Sequence, residues 1–101
     1  MPKFGVTVPH KLTKEEARSR LERFAELLQS KYEGKVTDLQ QSWEGDTLKF
    51  SAKTFGIQLK GGIAVNDNDL KLDGDLPFAA MMFKGKIESD IKEQLERIVA
   101  A

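Results

Sequence analysis

The sequence predicts an α+β domain of order β-α-β-β-β-β-α, a curved antiparallel sheet covered by two helices. Three observations predict it. Apolar and polar residues alternate near the N-terminus and again from Val36 to Gly74, the period of strands with one buried face. Apolar residues recur at three and four positions in two other stretches, 12–34 and 77–99, the spacing of amphipathic helices. A sheet with one apolar face must cover it, and these two helices are the available cover. A chain of 101 residues without linker, repeat or low-complexity tract is expected to form one domain over residues 1–101.

The first element is "KFGVTV", in which Phe4, Val6 and Val8 point one way and Lys3, Gly5 and Thr7 the other. Pro9 ends it. "LTKEEARSRLERFAELLQSKYEG" then reads as one continuous helix. Thr13 and Glu16 form a T-x-x-E capping box, and Leu12 and Ala17 occupy the staple positions. Ala17, Leu21, Phe24 and Leu28 make the apolar stripe, and Gly34 lies where a glycine ends a helix.

The period then changes to two. "VTDLQQSWE" and "TLKFSAK" flank Gly45-Asp46, a hairpin turn signal. Leu48, Phe50 and Ala52 share a face. After a turn near Phe55-Gly56, Ile57, Leu59, Ile63 and Val65 align, and Gly61-Gly62 inside the strand suggests a bulge or strong curvature. "NDND" is a polar turn, after which Leu70 and Leu72 resume the alternation. Together these read as a four-stranded meander with one apolar face. From Pro77, a residue tolerated in a first helical turn, the stripe Ala80, Phe83, Ile87, Ile91, Leu95 and Ile98 returns to helical spacing.

Composition removes several classes of function. Sixteen basic and sixteen acidic residues cancel, which argues against nonspecific binding to nucleic acid. The chain has no cysteine and one histidine, His10, so a thiolate nucleophile, a catalytic triad and a multi-histidine metal site are excluded. His10, after Pro9, is read as an ordinary loop residue. In "NDNDLKLDGD" a calcium loop starting at Asp69 has Lys71 at its third position and Ala80 at its twelfth, where a carboxylate is needed. Gly56 and Gly61 have the spacing of a phosphate loop, but Gly62 stands in the lysine position. No carboxylate pair is marked as acid and base. The expectation is a protein that is not an enzyme and needs no cofactor or metal. "MPKFGVTVPHKLTKEEA" lacks the apolar region of a secretory signal, and no run approaches the roughly 18 apolar residues of a membrane span. A cytoplasmic location is expected.

The candidate site lies in "DLPFAAMMFKGKIE". No charge occurs from Leu76 to Phe83. At about 100° per residue, with Phe83 at zero, the core stripe spans roughly 0–120°. Phe78 and Met82 then fall at about 220° and 260°, Met81 near 160° and Gly85 near 200°. The first two turns are thus apolar nearly all round and need cover on a second side. Three covers are open: the first helix, a second copy of the protein, or a lipid or polymer surface. Methionine suits adaptable contacts, Gly85 permits close approach of another backbone, and Lys84 and Lys86 are placed to snorkel around an apolar contact. Trp43 shares a face with Leu39 and reads either as core or as the wall of a small apolar pocket between sheet and last helix.

"DGDLPFAAMMFKGKIE", with "VPH" near the start and "SW" followed by "F" in the middle strands, resembles the polyhydroxyalkanoic acid system family, over nearly the whole chain. The C-terminal motif is its specific part. The resemblance implies a reduced helix-grip-like fold and association with polyhydroxyalkanoate synthesis and granules, with granule or granule proteins as partners. It implies no catalytic residue. The expected function is a non-enzymatic protein of that storage system. It binds an apolar surface, ligand or partner through the start of the last helix, with Phe78, Met81, Met82, Gly85 and Trp43 as candidate binding residues. The alternatives are a homodimeric interaction protein and a small acyl-ligand carrier.

Overall fold

The computed structural model describes residues 3–31, 36–54, 57–76 and 78–100. The side chains of Leu28, Lys31, Thr54, Ile57 and residues 78–80 lie outside the description, as do the expected glycine stop at Gly34 and the expected turn at Phe55-Gly56. The elements are β1 (Lys3–Pro9), α1 (Lys14–Leu21), α2 (Phe24–Lys31), β2 (Val36–Glu44), β3 (Thr47–Thr54), β4 (Ile57–Val65), β5 (Asp69–Asp75), a 3-10 turn (Phe78–Phe83) and α3 (Lys84–Ile98).

The strands form one antiparallel sheet of order β1-β5-β4-β3-β2. The meander is as expected, and β1 closes it by pairing with β5, Lys3 opposite Asp75 and Pro9 opposite Asp69. Glu44 pairs with Thr47, which leaves Gly45 and Asp46 as a two-residue loop. Gly45 has φ 62°, whereas Asp46 does not enter the positive region. Glycine at the first loop position with positive φ is the requirement of a type II′ hairpin.

Gly61-Gly62 is not a bulge. The register runs unbroken through both residues to β3 and to β5. The irregularity is on β2 instead, between Thr37 and Gln40, where Asp38 takes φ 51°, a conformation aspartate tolerates better than most residues. The glycines answer a different demand. Phe4, Gly74, Gly61 and Phe50 form one row across four strands. A Cβ on Gly61 would lie 2.9 Å from Cζ of Phe50, and one on Gly74 would lie 2.7 Å from Cζ of Phe4. Each phenylalanine ring occupies the space its neighbouring glycine leaves empty.

The expected first helix is two helices. Thr13 caps α1 through Oγ1, which accepts the Glu16 N–H at 3.1 Å. The helix breaks at Glu22-Arg23, where the Arg23 N–H donates to the Arg20 carbonyl at 3.2 Å, an i to i+3 contact that tightens the turn. The break lets α1 lie against α3 and β4 while α2 lies against β2 and α3, which a straight helix over a twisted sheet would not do. Ala17, Leu21 and Phe24 are fully buried on either side of it. The Glu22 carbonyl at the break accepts Nε2 of Gln41 at 3.1 Å.

The core sits between the sheet and the helices. Phe4, Val6, Val8, Leu48, Phe50, Ile63, Val65, Leu70 and Leu72 come from the sheet; Ile91, Leu95 and Ile98 come from α3. Phe24 meets Phe50 edge-on, ring centroids 5.6 Å apart. At the far end of α3, the Arg20 guanidinium donates to the carbonyls of Ile98 at 3.4 Å and Ala100 at 2.6 Å, placing a cation where the helix dipole is negative.

Candidate functional site

The stretch leading into α3 departs from the expected single helix. Residues 78–83 turn as a 3-10 helix, which advances about 120° per residue instead of about 100°. Phe83 is then the N-cap of α3 at φ −100° and ψ 3°, without a side-chain cap. Both effects shift the face that each residue presents. Phe83, expected in the core stripe, is therefore 48% exposed. Ile87 is only partly buried, and the stripe becomes core from Ile91 onward. A sequence mark for this junction is missing, because no Ser, Thr, Asp or Asn precedes Lys84 to announce a helix start.

Met81 is 44% exposed and Met82 83% exposed. With Phe83 they are the exposed large apolar side chains among the described residues. Of the three covers left open for this face, the first helix does not bury either methionine. Phe78 begins the same turn, with its side chain outside the description. Gly85 faces open space, since a Cβ there would meet nothing within 4 Å. Its absence of a side chain therefore serves no contact within the described chain. Lys86 lies beside this step and pairs with Asp90 at 3.3 Å.

Trp43 does not join this group. It stands on edge strand β2 opposite Leu48, half-buried against the core. The Arg18 guanidinium lies 4.4 Å from its ring centroid, close enough for a cation–π contact. Arg18 also reaches Asp46 Oδ1 at 3.3 Å, and Lys14 reaches Oδ2 of the same residue at 3.2 Å. The 3-10 turn follows the end of β5, three strands from β2, or roughly 14 Å at the spacing of paired strands. Trp43 is thus a flank of the core that ties α1 to the β2–β3 hairpin.

One concavity, about 690 Å³, is on the sheet face turned away from the helices, lined by Lys3, Lys49, Lys60, Lys71, Asp73 and Asp75 among others. It is open and charged. A smaller one of about 420 Å³ lies between Gly5, Val6 and Thr7 of β1 and Glu88, Ser89 and Lys92 of α3. Neither is the apolar pocket that an acyl carrier uses. The core side chains named above lie between the sheet and the last helix.

His10 is more than a loop residue. It is 8% exposed. The Leu12 N–H donates to its Nδ1 at 3.1 Å, and its Nε2 lies 2.9 Å from the Asn66 carbonyl. A backbone N–H can only donate, so Nδ1 carries no proton and Nε2 donates. The His10 N–H also donates to the Asn68 carbonyl at 2.9 Å. The ring clamps the β4–β5 turn to the start of α1, with both nitrogens committed. Among the described residues, no three His, Cys, Asp or Glu side chains gather in a way that could hold a metal ion. No helix among the described residues is long and apolar enough to cross a membrane.

Comparisons with known proteins bear on the fold and the family. One solved structure, "Crystal structure of Ara h 8.0201", is similar at a TM-score of 0.43 and 10% identity, covering 97% of each chain. That score carries no argument about function. No curated protein matches the chain. A family model described as "Putative polyhydroxyalkanoic acid system protein" matches residues 5–99, which include every described strand residue except Lys3 and Phe4 of β1, and the whole 3-10 turn. The chain belongs to the polyhydroxyalkanoic acid system protein family.

Proposed function

We propose that the chain is a non-enzymatic protein of polyhydroxyalkanoate storage that docks on an apolar surface, that of the storage granule, through Met81, Met82 and Phe83. The observation that carries this is the exposure of three consecutive large apolar side chains at the end of a run, Leu76 to Phe83, that holds no charge. Isolated exposed hydrophobes are ordinary, but adjoining ones favour a contact. The side chains project from a short turn held between β5 and α3, so they reach a surface without unfolding the core. Methionine adapts to an irregular surface at little cost in strain. The place of action on this reading is the cytoplasm, at the granule.

Burying apolar side chains contributes about 1.5–3 kcal/mol each. The triple variant Met81→Ser, Met82→Ser, Phe83→Ser is therefore expected to weaken co-sedimentation with polyhydroxyalkanoate particles by at least about tenfold. Its circular dichroism and melting curve should match the wild type. Undiminished co-sedimentation of the folded variant rejects the docking. A second copy would use the same residues. Concentration-dependent dimerisation by light scattering, lost in the triple variant while granule binding persists, would assign the face to the homodimer instead.

A further inference from the structure

The chain has no cysteine and three methionines, Met1, Met81 and Met82. Two of its three sulfur atoms therefore belong to adjacent residues of this exposed turn. Both are accessible to a solute, Met82 at 83% and Met81 at 44% exposure, and neither belongs to the core cluster. Thioether oxidation turns a flexible apolar side chain into a polar, chiral one and disrupts methionine-rich contacts. Here the change would fall on the docking residues and leave the core packing alone.

We propose that Met81 and Met82 form an oxidation site at which a hydroperoxide converts the thioethers to sulfoxides and weakens the docking on an apolar surface. This inference rests on the docking reading above. With hydrogen peroxide, a sulfur lone pair attacks one peroxide oxygen. The S–O bond forms as the O–O bond breaks, and sulfur loses two electrons. The departing hydroxide takes the proton of the transferred hydroxyl and leaves as water. Exposure orders the two sites, Met82 reacting before Met81. Phe83 is unchanged, so the patch keeps one apolar side chain and loses two.

The experiment uses the full chain, hydrogen peroxide and amorphous polyhydroxyalkanoate particles. Peptide mass spectrometry follows one added oxygen per methionine, and circular dichroism follows the fold. The expected result is oxidation of Met82 ahead of Met81, an unchanged melting curve, and binding to the particles about tenfold weaker. The variant Met81→Leu, Met82→Leu keeps the apolar volume and has no thioether at the step. Its binding to the particles, whatever the starting affinity, is expected to be unchanged by peroxide. Equal binding by oxidised and unoxidised wild type overturns the switch and leaves the docking intact. An equal peroxide-induced loss in the double leucine variant overturns it as well, because the sensitivity then lies elsewhere. Absence of binding by the unoxidised wild type removes the docking reading and the switch with it.

Discussion

The Glu88 carboxylate of α3 accepts the Gly5 N–H of β1 at 3.0 Å. β1 is an edge strand, paired only with β5, and an edge presents unpaired backbone groups to any other strand. Glu88 satisfies one such group and sets a negative charge against the edge.

Glu88→Ala is expected to lower stability by about 1 kcal/mol, the net value of one such bond. It should also increase self-association at high protein concentration, because the edge loses its guard. Chemical denaturation measures the first effect and sedimentation velocity the second. An unchanged midpoint together with a strictly monomeric variant would show that the contact guards nothing.

The glycines separate by what surrounds them. Gly61→Ala places a Cβ 2.6 Å from the Asp73 carbonyl oxygen as well as against the Phe50 ring. Backbone cannot yield cheaply, so a loss of about 1–3 kcal/mol is expected. Gly85→Ala meets open space in the first turn of a helix and should be neutral or stabilising, by up to about 1 kcal/mol. Thermal melts of both variants, with opposite or clearly unequal shifts, check the assignment.

The His10 ring should carry its hydrogen on Nε2, because Nδ1 accepts from the Leu12 N–H. Nitrogen-15 chemical shifts of the imidazole read this directly at neutral pH. His10→Ala leaves the Leu12 N–H and the Asn66 carbonyl without their side-chain partner. The expected cost is about 1–3 kcal/mol for partly buried groups left unsatisfied. Hydrogen exchange at Leu12 should accelerate in the variant more than exchange in the middle of β4.

Arg20 joins α1 to the C-terminal end of α3. Arg20→Gln removes the charge and most of the reach, and a loss of about 0.5–1.5 kcal/mol is expected. The loss should appear as faster hydrogen exchange in the last turn of α3. Uniformly faster exchange across the sheet would instead indicate a global effect.

Much of the architecture is legible in the sequence because burial follows period. Phe4, Val6 and Val8 alternate and are buried; Leu48, Phe50, Ile63, Leu70 and Leu72 do the same in the meander. Ile91, Leu95 and Ile98 follow the helical period and are buried. What escaped sequence reading depends on distant partners or on small changes of pitch. The break at Glu22-Arg23 has no glycine or proline to mark it and reflects where α1 and α2 must lie on other elements. Gly61, with Gly62, is legible as a special position, but the ring partners of Gly61 and Gly74, Phe50 and Phe4, lie on neighbouring strands, and only the pairing register brings them together. The buried role of His10 depends on Asn66, fifty-six residues away. At the candidate site, Met81 and Met82 were legible as residues off the core stripe. Phe83 was not, because a change from about 100° to about 120° per residue leaves no local trace in composition. Trp43 was legible as core-facing, but the Arg18 contact comes from another element.

The β1–β5 pairing has a consequence for the order in which the chain can assemble. Lys3 meets Asp75, seventy-two positions later, whereas β2 to β5 pair with their neighbours in sequence. Loop closure over that distance must be paid before the pairing gives anything back. During synthesis the first strand leaves the ribosome with Phe4, Val6 and Val8 and no partner until β5 has followed. Its contacts are expected to form late, with low φ-values in β1 and higher ones in the β3–β4 hairpin.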